Sequence, residues 1–204
     1  VSNDSAGFFL NHIRNGIRFV FLDCLPYGVD SDLVASDNIV GGMSACEHLI
    51  RLGHQRIFFT TDQENQITVT DTVRDRYTGY LHAMAKHGLR QFCRHFSCPN
   101  ESEQAEKILS EVFHSPNPPT ALFALNDIHA GSIISALKEI GLRVPEDVSV
   151  IGFDGTAIAS AFSPKITTVE HQFFNIGYQA AELAYRQSQQ DSDVFSFVHK
   201  YLPT

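Results

Sequence analysis

The sequence predicts an α/β fold built on parallel β-sheets, and three observations support this. Short β-branched apolar runs, such as residues 56–60 and 148–151, alternate with amphipathic stretches of about ten to fifteen residues, as in strand–helix–strand units. These runs are almost entirely apolar, which is typical of strands buried on both faces. Polar residues follow several of them directly. With 204 residues, 43% of them hydrophobic, the chain can form one large domain or two small lobes with a real core.

The elements follow from hydrophobic periodicity and from helix stop signals in chain order. Gly16, Gly53, Gly88 and Gly141 each end a helical pattern, as glycine does in the left-handed conformation after a helix. The predicted helices cover residues 5–13, 37–52, 72–87, 101–114, 126–140, 157–162 and 174–187. The predicted strands cover residues 18–23, 34–37, 56–60, 90–97, 120–125, 148–151 and 194–201, and residues 164–169 form either a strand or a connector.

Two lobes are predicted from the order of these elements. A boundary near Gly53-His54, with return crossings near Phe162-Ser163 and Gln190-Asp191, divides the chain. The N-terminal lobe would contain residues 1–54 and 163–190, and the C-terminal lobe residues 55–162 and 191–204.

Composition and charge argue against several classes of function. A formal net charge of -8 argues against this segment gripping a phosphate backbone by itself. No apolar run is as long as a membrane span, and no signal peptide opens the chain, so no membrane partner is expected. Four cysteines without short paired spacing fit a reducing, cytoplasmic compartment.

Polar side chains collect at the carboxyl ends of the predicted strands, where open α/β sheets bind their ligands. Asp37, Asn126 and Asp154 follow three of the strands, and Arg76 comes early in the helix after the polar loop 62–71. Carboxylates accept hydrogen bonds from hydroxyl groups, while amide and guanidinium groups donate them, so this set suits a hydroxyl-rich ligand. Phe173 could supply an apolar face for a sugar ring.

Each candidate also has a purely structural alternative. Helix N-capping by itself would explain Asp37 and Asn126. Arg76 could be a surface residue of its helix, and Phe173 could be a core residue. These alternatives stay open at the level of composition and spacing.

The sequence lacks the common catalytic signatures. It contains no Gly-x-Ser-x-Gly elbow, no phosphate-binding loop and no Gly-x-Gly-x-x-Gly, and Gly41-Gly42 falls inside a helix. Cys93, His95 and Cys98 resemble metal ligands in spacing, but no second cluster of ligand residues accompanies them in the sequence. A metal site is therefore not favoured. We therefore expect binding without catalysis, and no cofactor or metal.

Six segments occur in an order and spacing that resemble the effector-binding domain of the lactose-repressor/galactose-repressor family of transcriptional regulators. They are Asp37-Asn38-x-x-Gly41-Gly42, His48-Leu49-Ile50-x-Leu52-Gly53-His54-x-x-Ile57, Arg76-x-x-Gly79-Tyr80, residues 119–130 with Asn126-Asp127, residues 144–154 ending in Gly152-Phe153-Asp154, and Pro164-x-Ile166-Thr167-Thr168-Val169. The resemblance covers almost the whole chain.

The resemblance implies a periplasmic-binding-protein-like fold of type I, with two Rossmann-like lobes and a sugar-sized effector in the cleft between them. It implies that Arg76, Asn126 and Asp154 contact the effector, and less directly that Asp37 and Phe173 do. It also implies a homodimeric, cytoplasmic regulator, usually a repressor, that meets DNA only through a separate head.

Two departures from the family pattern accompany the resemblance. None of these 204 residues resembles the family's DNA-binding head, and the N-terminal lobe is expected to be incomplete, so that the strand beginning at Arg18 would have an unpaired edge. Two other functions compete with effector sensing. A solute-binding receptor of a transport system would share the fold but calls for a secretion signal. A nucleotide-dependent or sugar-modifying enzyme would need a phosphate site or a nucleophile, and no motif supplies either.

Overall fold

The computed structural model describes residues 3–189 and 197–204 of the chain. Eight α-helices lie within this range: Asn3–Arg14 (α1), Asn38–Arg51 (α2), Gln66–Val69 (α3), Asp71–Lys86 (α4), Ser102–Phe113 (α5), Asp127–Glu139 (α6), Ala157–Ala161 (α7) and Phe173–Ser188 (α8). Seven strands lie within the same range: Val20–Leu22 (β1), Asp32–Ser36 (β2), Ile57–Thr61 (β3), Arg94–Ser97 (β4), Ala121–Ala124 (β5), Ser149–Ile151 (β6) and His199–Leu202 (β7).

These elements form two units. The small unit consists of the described residues of Val1–Asp37 and Gln172–Thr204, and the large unit is Asn38–His171. Each has its own parallel sheet, in the order β1-β2-β7 in the small unit and β4-β3-β5-β6 in the large unit. The prediction of an α/β fold with parallel sheets is confirmed.

Helices cover both faces of the large-unit sheet, and strand alternation sorts its core into two clusters. Phe59 and Phe123 are register partners on β3 and β5, and both pack towards the face covered by α2 and α4. Leu122, the neighbour of Phe123 in sequence, points to the opposite face and packs with α5 and α6. All three side chains are fully buried, which explains why these strands read as continuous apolar runs.

The strand order of the large unit creates the place where a ligand site is expected. From β3 the chain passes through α4 to β4 on one side, then through α5 to β5 on the other side. The crossovers therefore diverge at β3 and β5, and a crevice opens beyond their carboxyl ends.

The small unit has a smaller apolar core than the large unit, and it also contains a buried, hydrogen-bonded carboxylate. Val34, Leu202, Ile176 and Ala180 form its buried apolar cluster. Asp32, at the start of β2, accepts a hydrogen bond from the backbone N–H of Val198 at 2.6 Å. Among the described residues β1 pairs only with β2, so β1 is an edge strand.

The division into units differs from the predicted lobe boundaries. Helix α2, predicted in the N-terminal lobe, belongs to the large unit because it packs closely on α4. The final strand, predicted in the C-terminal lobe, pairs with β2 in the small unit. Residues 163–171 also stay with the large unit, through single bridges from Thr167 to Ile151 and from Glu170 to Asp154. Spacing along the chain does not reveal which sheet edge a strand will join.

Smaller differences concern the ends of elements. The polar loop 62–71 contains the short helix α3, and the predicted strand 90–97 is a 3₁₀ turn, Arg90–Phe92, followed by β4. Residues 164–169 form a connector rather than a full strand. The predicted crossing at Gln190-Asp191 and the start of the predicted last strand lie outside the described residues.

Candidate functional site

The guanidinium group of Arg76 is the centre of a polar cluster in the large unit. Arg76 lies on α4 and is only 6% exposed, so its positive charge is almost completely removed from water. This side chain contacts Asn38, Leu125, Asp154 and His171, and together with Arg76 they are called the guanidinium cluster here. The alternative that Arg76 is a surface residue is wrong.

Each nitrogen of Arg76 has a defined partner. Nε donates to Oδ1 of Asn38 at 2.9 Å, and Nη1 donates to the carbonyl oxygen of Leu125 at 2.6 Å. Nη2 lies 3.0 Å from Oδ1 of Asp154 and 3.2 Å from Nε2 of His171. These contacts fix the planar group in one orientation and satisfy the demand of a buried charge for an opposite charge and hydrogen bonds.

An aromatic ring completes this environment. The guanidinium carbon of Arg76 lies 4.1 Å from the ring centroid of Phe153. Phe153 is fully buried and directly precedes Asp154 in the chain. A cation over a ring face is attracted by the electron density of the ring. Phe153 therefore holds the guanidinium from one face while its polar partners surround the edge.

Asp154 comes three residues after the end of β6 and adopts an unusual backbone conformation. Its φ is 104°, in a region that side-chain-bearing residues rarely occupy, and Gly155 follows with φ 69°. Backbone bonds hold this turn: Asp154 N–H donates to Val169 O at 2.9 Å, and His171 N–H donates to Asp154 O at 3.1 Å. Such strain persists only where the surroundings impose it, and it is concentrated at functional sites. The Asp154 side chain remains 23% exposed, so its carboxylate is only partly covered.

His171 is a member of the cluster that sequence reasoning missed. Its side chain is 2% exposed, and Nε2 lies 3.4 Å from Oδ1 of Asp154 as well as 3.2 Å from Nη2 of Arg76. This nitrogen can accept from Arg76 or donate to Asp154, depending on where the imidazole carries its proton. Nothing in the local sequence marks His171, because its partners are distant in the chain.

Asn126 lies beside the cluster and also caps a helix. It is the N-cap residue of α6, and its Oδ1 accepts from the backbone N–H of His129 at 2.8 Å. Its neighbour Leu125 supplies the carbonyl oxygen that accepts from Arg76. The capping role predicted as an alternative is therefore present. The cap uses Oδ1 of Asn126 and does not involve the N–H donors of its Nδ2 group.

Asp127 has a structural role that the sequence did not reveal. It is fully buried, and its two carboxylate oxygens accept hydrogen bonds from Thr156 N–H at 2.7 Å, Thr156 Oγ1 at 2.9 Å and Thr168 Oγ1 at 2.5 Å. A Cβ atom on Gly152 would lie 2.5 Å from Oδ1 of Asp127, so a larger residue there would displace this carboxylate. Asp127 thus ties the loop after β6 to the connector 164–169 and supports the turn at Asp154.

The two remaining candidates belong to the small unit. Asp37 follows β2, is partly buried, and donates its backbone N–H to Leu202 O at 2.9 Å. Phe173 is the first residue of α8 and is 57% exposed, so it is not a core residue. The guanidinium cluster brings Arg76 and Asp154 into contact, and Asn126 directly follows Leu125, a member of the cluster, in the chain. The roles of Asp37 and Phe173 stay predictions.

A second polar group, called the His129 chain here, consists of Thr60, His129, Asn100 and Asp62. Nδ1 of His129 lies 3.0 Å from the carbonyl Oδ1 of Asn100, so Nδ1 carries the proton and Nε2 accepts from the Thr60 hydroxyl. Nδ2 of Asn100 then donates to Oδ2 of Asp62 at 3.4 Å. Burial lowers the pKa of His129 from 6.5 to about 4, against an opposing effect of the Asp62 carboxylate.

The outer end of the His129 chain borders an open pocket. A cavity of about 610 Å³ is lined by the polar residues of loop 62–64, including Asp62, and by Asn100 and several residues near it. Oδ1 of Asp62 is buried and has no hydrogen-bond partner among the described residues. Within the same residues, no group of three or more His, Cys, Asp or Glu is placed to hold a metal ion.

None of the helices in the described part of the chain combines the length and apolar character needed to cross a membrane. The fold and the cluster define the class of protein: an α/β domain with an arginine–aspartate pair beyond the carboxyl ends of its parallel strands.

Comparison with known proteins places the chain more narrowly. Residues 46–198 match the family described as periplasmic binding protein-like domain. Over 172 residues the chain is 34% identical to the HTH-type transcriptional repressor PurR of Aliivibrio salmonicida, covering 82% of this chain and 49% of that protein. It is 29% identical over 197 residues to the arabinose metabolism transcriptional repressor of Geobacillus stearothermophilus, covering 93% of this chain and 52% of that protein.

A solved structure is similar across the whole chain. The LacI family transcriptional regulator of Enterococcus faecium, determined with bound ribose, matches with a TM-score of 0.82 and 28% identity, covering 100% of this chain and 72% of that one. The chain belongs to the periplasmic binding protein-like domain family, as an effector-binding domain of the kind found in LacI-family regulators. The predicted family and fold are confirmed. The chain spans about half the length of the curated relatives it matches.

Proposed function

We propose that this chain senses a small, uncharged, hydroxyl-rich effector, a sugar or sugar derivative, for a cytoplasmic transcriptional repressor. The effector would bind at the guanidinium cluster without being turned over. A DNA-binding head outside these 204 residues would contact the operator, since the formal net charge of -8 disfavours direct DNA contact by this segment.

The observation that carries this proposal is the Arg76–Asp154 pair at the carboxyl ends of the strands. Asp154 offers a partly exposed carboxylate at a strained turn, and Arg76 holds its Oδ1 at 3.0 Å. A positioned carboxylate accepts two hydroxyl hydrogen bonds, and these are stronger than bonds between neutral groups. The Nδ2 group of Asn126 would add a donor beside it.

The charges of the cluster favour an uncharged effector. The positive charge of Arg76 is already opposed by Asp154, and its three nitrogens already have protein partners. A phosphate or carboxylate group on the effector would be repelled by Asp154, and burying it beside that residue would carry a large desolvation cost.

Two relatives support a sugar and a regulatory role. The similar Enterococcus faecium regulator holds ribose, and the Geobacillus stearothermophilus relative is an arabinose metabolism repressor. The competing transport receptor is not favoured, because these similar proteins are transcriptional regulators.

The first experiment measures ligand binding. Thermal-shift screening of neutral pentoses, hexoses, purine bases and the matched sugar phosphates should find a neutral compound that raises the melting temperature, since a ligand that binds only the folded state stabilises it. Calorimetry with that compound should show a loss of affinity of about 1.5–3 kcal/mol in Asp154→Asn, which lacks the charged acceptor.

Asn126→Asp provides a matched control for the cap. This variant keeps an oxygen for the His129 N–H but removes the Nδ2 donors, so its folding stability should remain while its effector affinity falls. No shift with any neutral compound, or tighter binding of a sugar phosphate, would contradict the proposal.

We also propose that the chain dimerises through α6 and α7. A groove of about 800 Å³ runs along these helices, and the exposed Ile128 and Ile158 border it. Exposed apolar side chains beside a groove are typical of protein interfaces.

Sedimentation should show a concentration-dependent dimer that Ile128→Glu converts to a monomer, while Leu52→Glu, an exposed site on another surface, should leave it intact. A monomeric wild type, or a dimer that survives Ile128→Glu, would exclude this interface.

A further inference from the structure

Helices α2 and α4 approach so closely that glycine is required on both sides of their contact. A Cβ atom added to Gly42 would lie 2.3 Å from the carbonyl oxygen of Arg76, and one added to Gly79 would lie 2.2 Å from that of Ile39 and 2.7 Å from the nitrogen of Met43. All three neighbouring atoms belong to the backbone, so no side chain can turn away to make room. The backbones of the two helices therefore lie against each other at the Gly42–Gly79 contact.

Glycine is unfavourable inside a helix, so packing must account for Gly42 and Gly79. Glycine lowers helix propensity through its backbone entropy, and both positions belong to the buried faces of long helices. The sequence places Gly42 outside any phosphate-binding context. Its close approach to α4 is the physical reason for glycine at this position.

The contact lies one helical turn from the guanidinium cluster on both helices. Asn38 precedes Gly42 on α2, and Arg76 precedes Gly79 on α4. Asn38 is 4% exposed and accepts from Nε of Arg76 at 2.9 Å. A wider helix spacing would lengthen this bond, because it joins side chains of the two helices.

We infer that Asn38 is a positioning residue for Arg76 and that the Gly42–Gly79 contact sets the spacing at which it acts. Asn38 orients the guanidinium by occupying Nε, so that Nη1 and Nη2 face Leu125 and Asp154. The role concerns the geometry of the cluster, and it extends to effector affinity only through the proposed function.

The test uses nuclear magnetic resonance on the ligand-free protein. The Nε–H signal of Arg76, assigned by its loss in Arg76→Lys, should be protected from exchange with water in the wild type. In Asn38→Ala, Gly42→Ala and Gly79→Ala it should shift and exchange faster by about tenfold or more, the factor expected for losing a hydrogen bond to a charged group. Combining Asn38→Ala with Gly79→Ala should add little to Asn38→Ala alone, because both act on the same bond.

Two matched controls separate positioning from general destabilisation. Gly177→Ala makes the same change inside α8, where an added Cβ meets nothing within 4 Å, and should leave the Arg76 signal unchanged. Asn38→Asp keeps an acceptor for Nε and should restore protection. An Arg76 signal unaltered in folded Gly42→Ala and Gly79→Ala would overturn the inference.

Two further measurements keep the inference testable. If the glycine variants do not fold, Asn38→Ala decides, since an unaltered Arg76 signal in that variant would also overturn it. Effector affinity is measured separately: a wild type that binds no effector contradicts the proposed function, whereas the exchange measurement judges the positioning role by itself.

Discussion

The guanidinium cluster and the His129 chain are two buried polar groups of the same unit. They compensate the free-energy cost of desolvation in opposite ways. Arg76 keeps its charge and is matched by Asp154, whose side chain remains 23% exposed. His129 is 1% exposed and gives up its charge, since burial lowers its pKa to about 4. A permanent cation requires a counter-charge and hydrogen bonds when it is buried, whereas a titratable ring can become neutral. Asp154 differs from Asp62, the partly exposed carboxylate of the His129 chain, because a buried guanidinium group holds it at 3.0 Å, and for this reason we propose that the effector binds at the guanidinium cluster.

Removing one charge from the guanidinium cluster should have the largest effect on stability. Arg76→Met leaves Asp154 without its partner, and we expect the free energy of unfolding to fall by about 3–5 kcal/mol, as when one member of a buried pair is removed. Urea denaturation at neutral pH measures this change.

A second substitution tests whether charge is the cause. Adding Asp154→Asn to Arg76→Met removes the orphaned charge and should recover at least about 1 kcal/mol, because the two groups are coupled. Arg74→Met, at a half-exposed position of the same helix, should cost no more than about 0.5 kcal/mol. A double variant no more stable than Arg76→Met would show that packing, rather than charge, holds the cluster.

Acidification should affect the His129 chain to a somewhat smaller extent. His129 has a folded-state pKa of about 4 against an ordinary value of 6.5, so between these values the unfolded chain binds more protons. The part of the stability that depends on neutral His129 is therefore fully present above pH 6.5 and is lost as the pH decreases towards 4. The lowered pKa corresponds to a loss of about 3 kcal/mol.

His129→Gln isolates this contribution, because glutamine can donate and accept hydrogen bonds but does not titrate. Denaturation at a series of pH values from 7 to 4 should show a shallower loss of stability in the variant than in the wild type. Parallel curves for the two proteins would mean that His129 is not the group that titrates, and the comparison between the charged and the neutral cluster would lose its basis.

Local sequence was sufficient where a residue's role depends on its immediate neighbours. The apolar run 148–151 predicts a buried strand, and the residues after it place Asp154 at the carboxyl end of that strand. The same reasoning placed Asn126 at the start of α6. Arg76 could not be separated from a surface residue by spacing, and the family resemblance made the difference.

Residues whose roles depend on distant partners could not be found in this way. His171 contacts Arg76 across 95 positions and Asn38 contacts it across 38, so no periodicity links them. Asp127 was assigned no role of its own because its partners lie on the loop after β6 and on the connector that follows.

The sequence by itself determined the parallel α/β class, the order of most of its strands and helices, and the polar residues at the strand ends. These depend on hydrophobic periodicity, helix stop signals and short motifs, which act over a few residues. The tertiary structure decided which sheet each strand joins, why Gly42 and Gly79 must be glycine, and which partners surround Arg76. Sheet edges, helix spacing and buried charge pairs depend on atoms brought together from distant parts of the chain, and their energies exist only when the fold is complete.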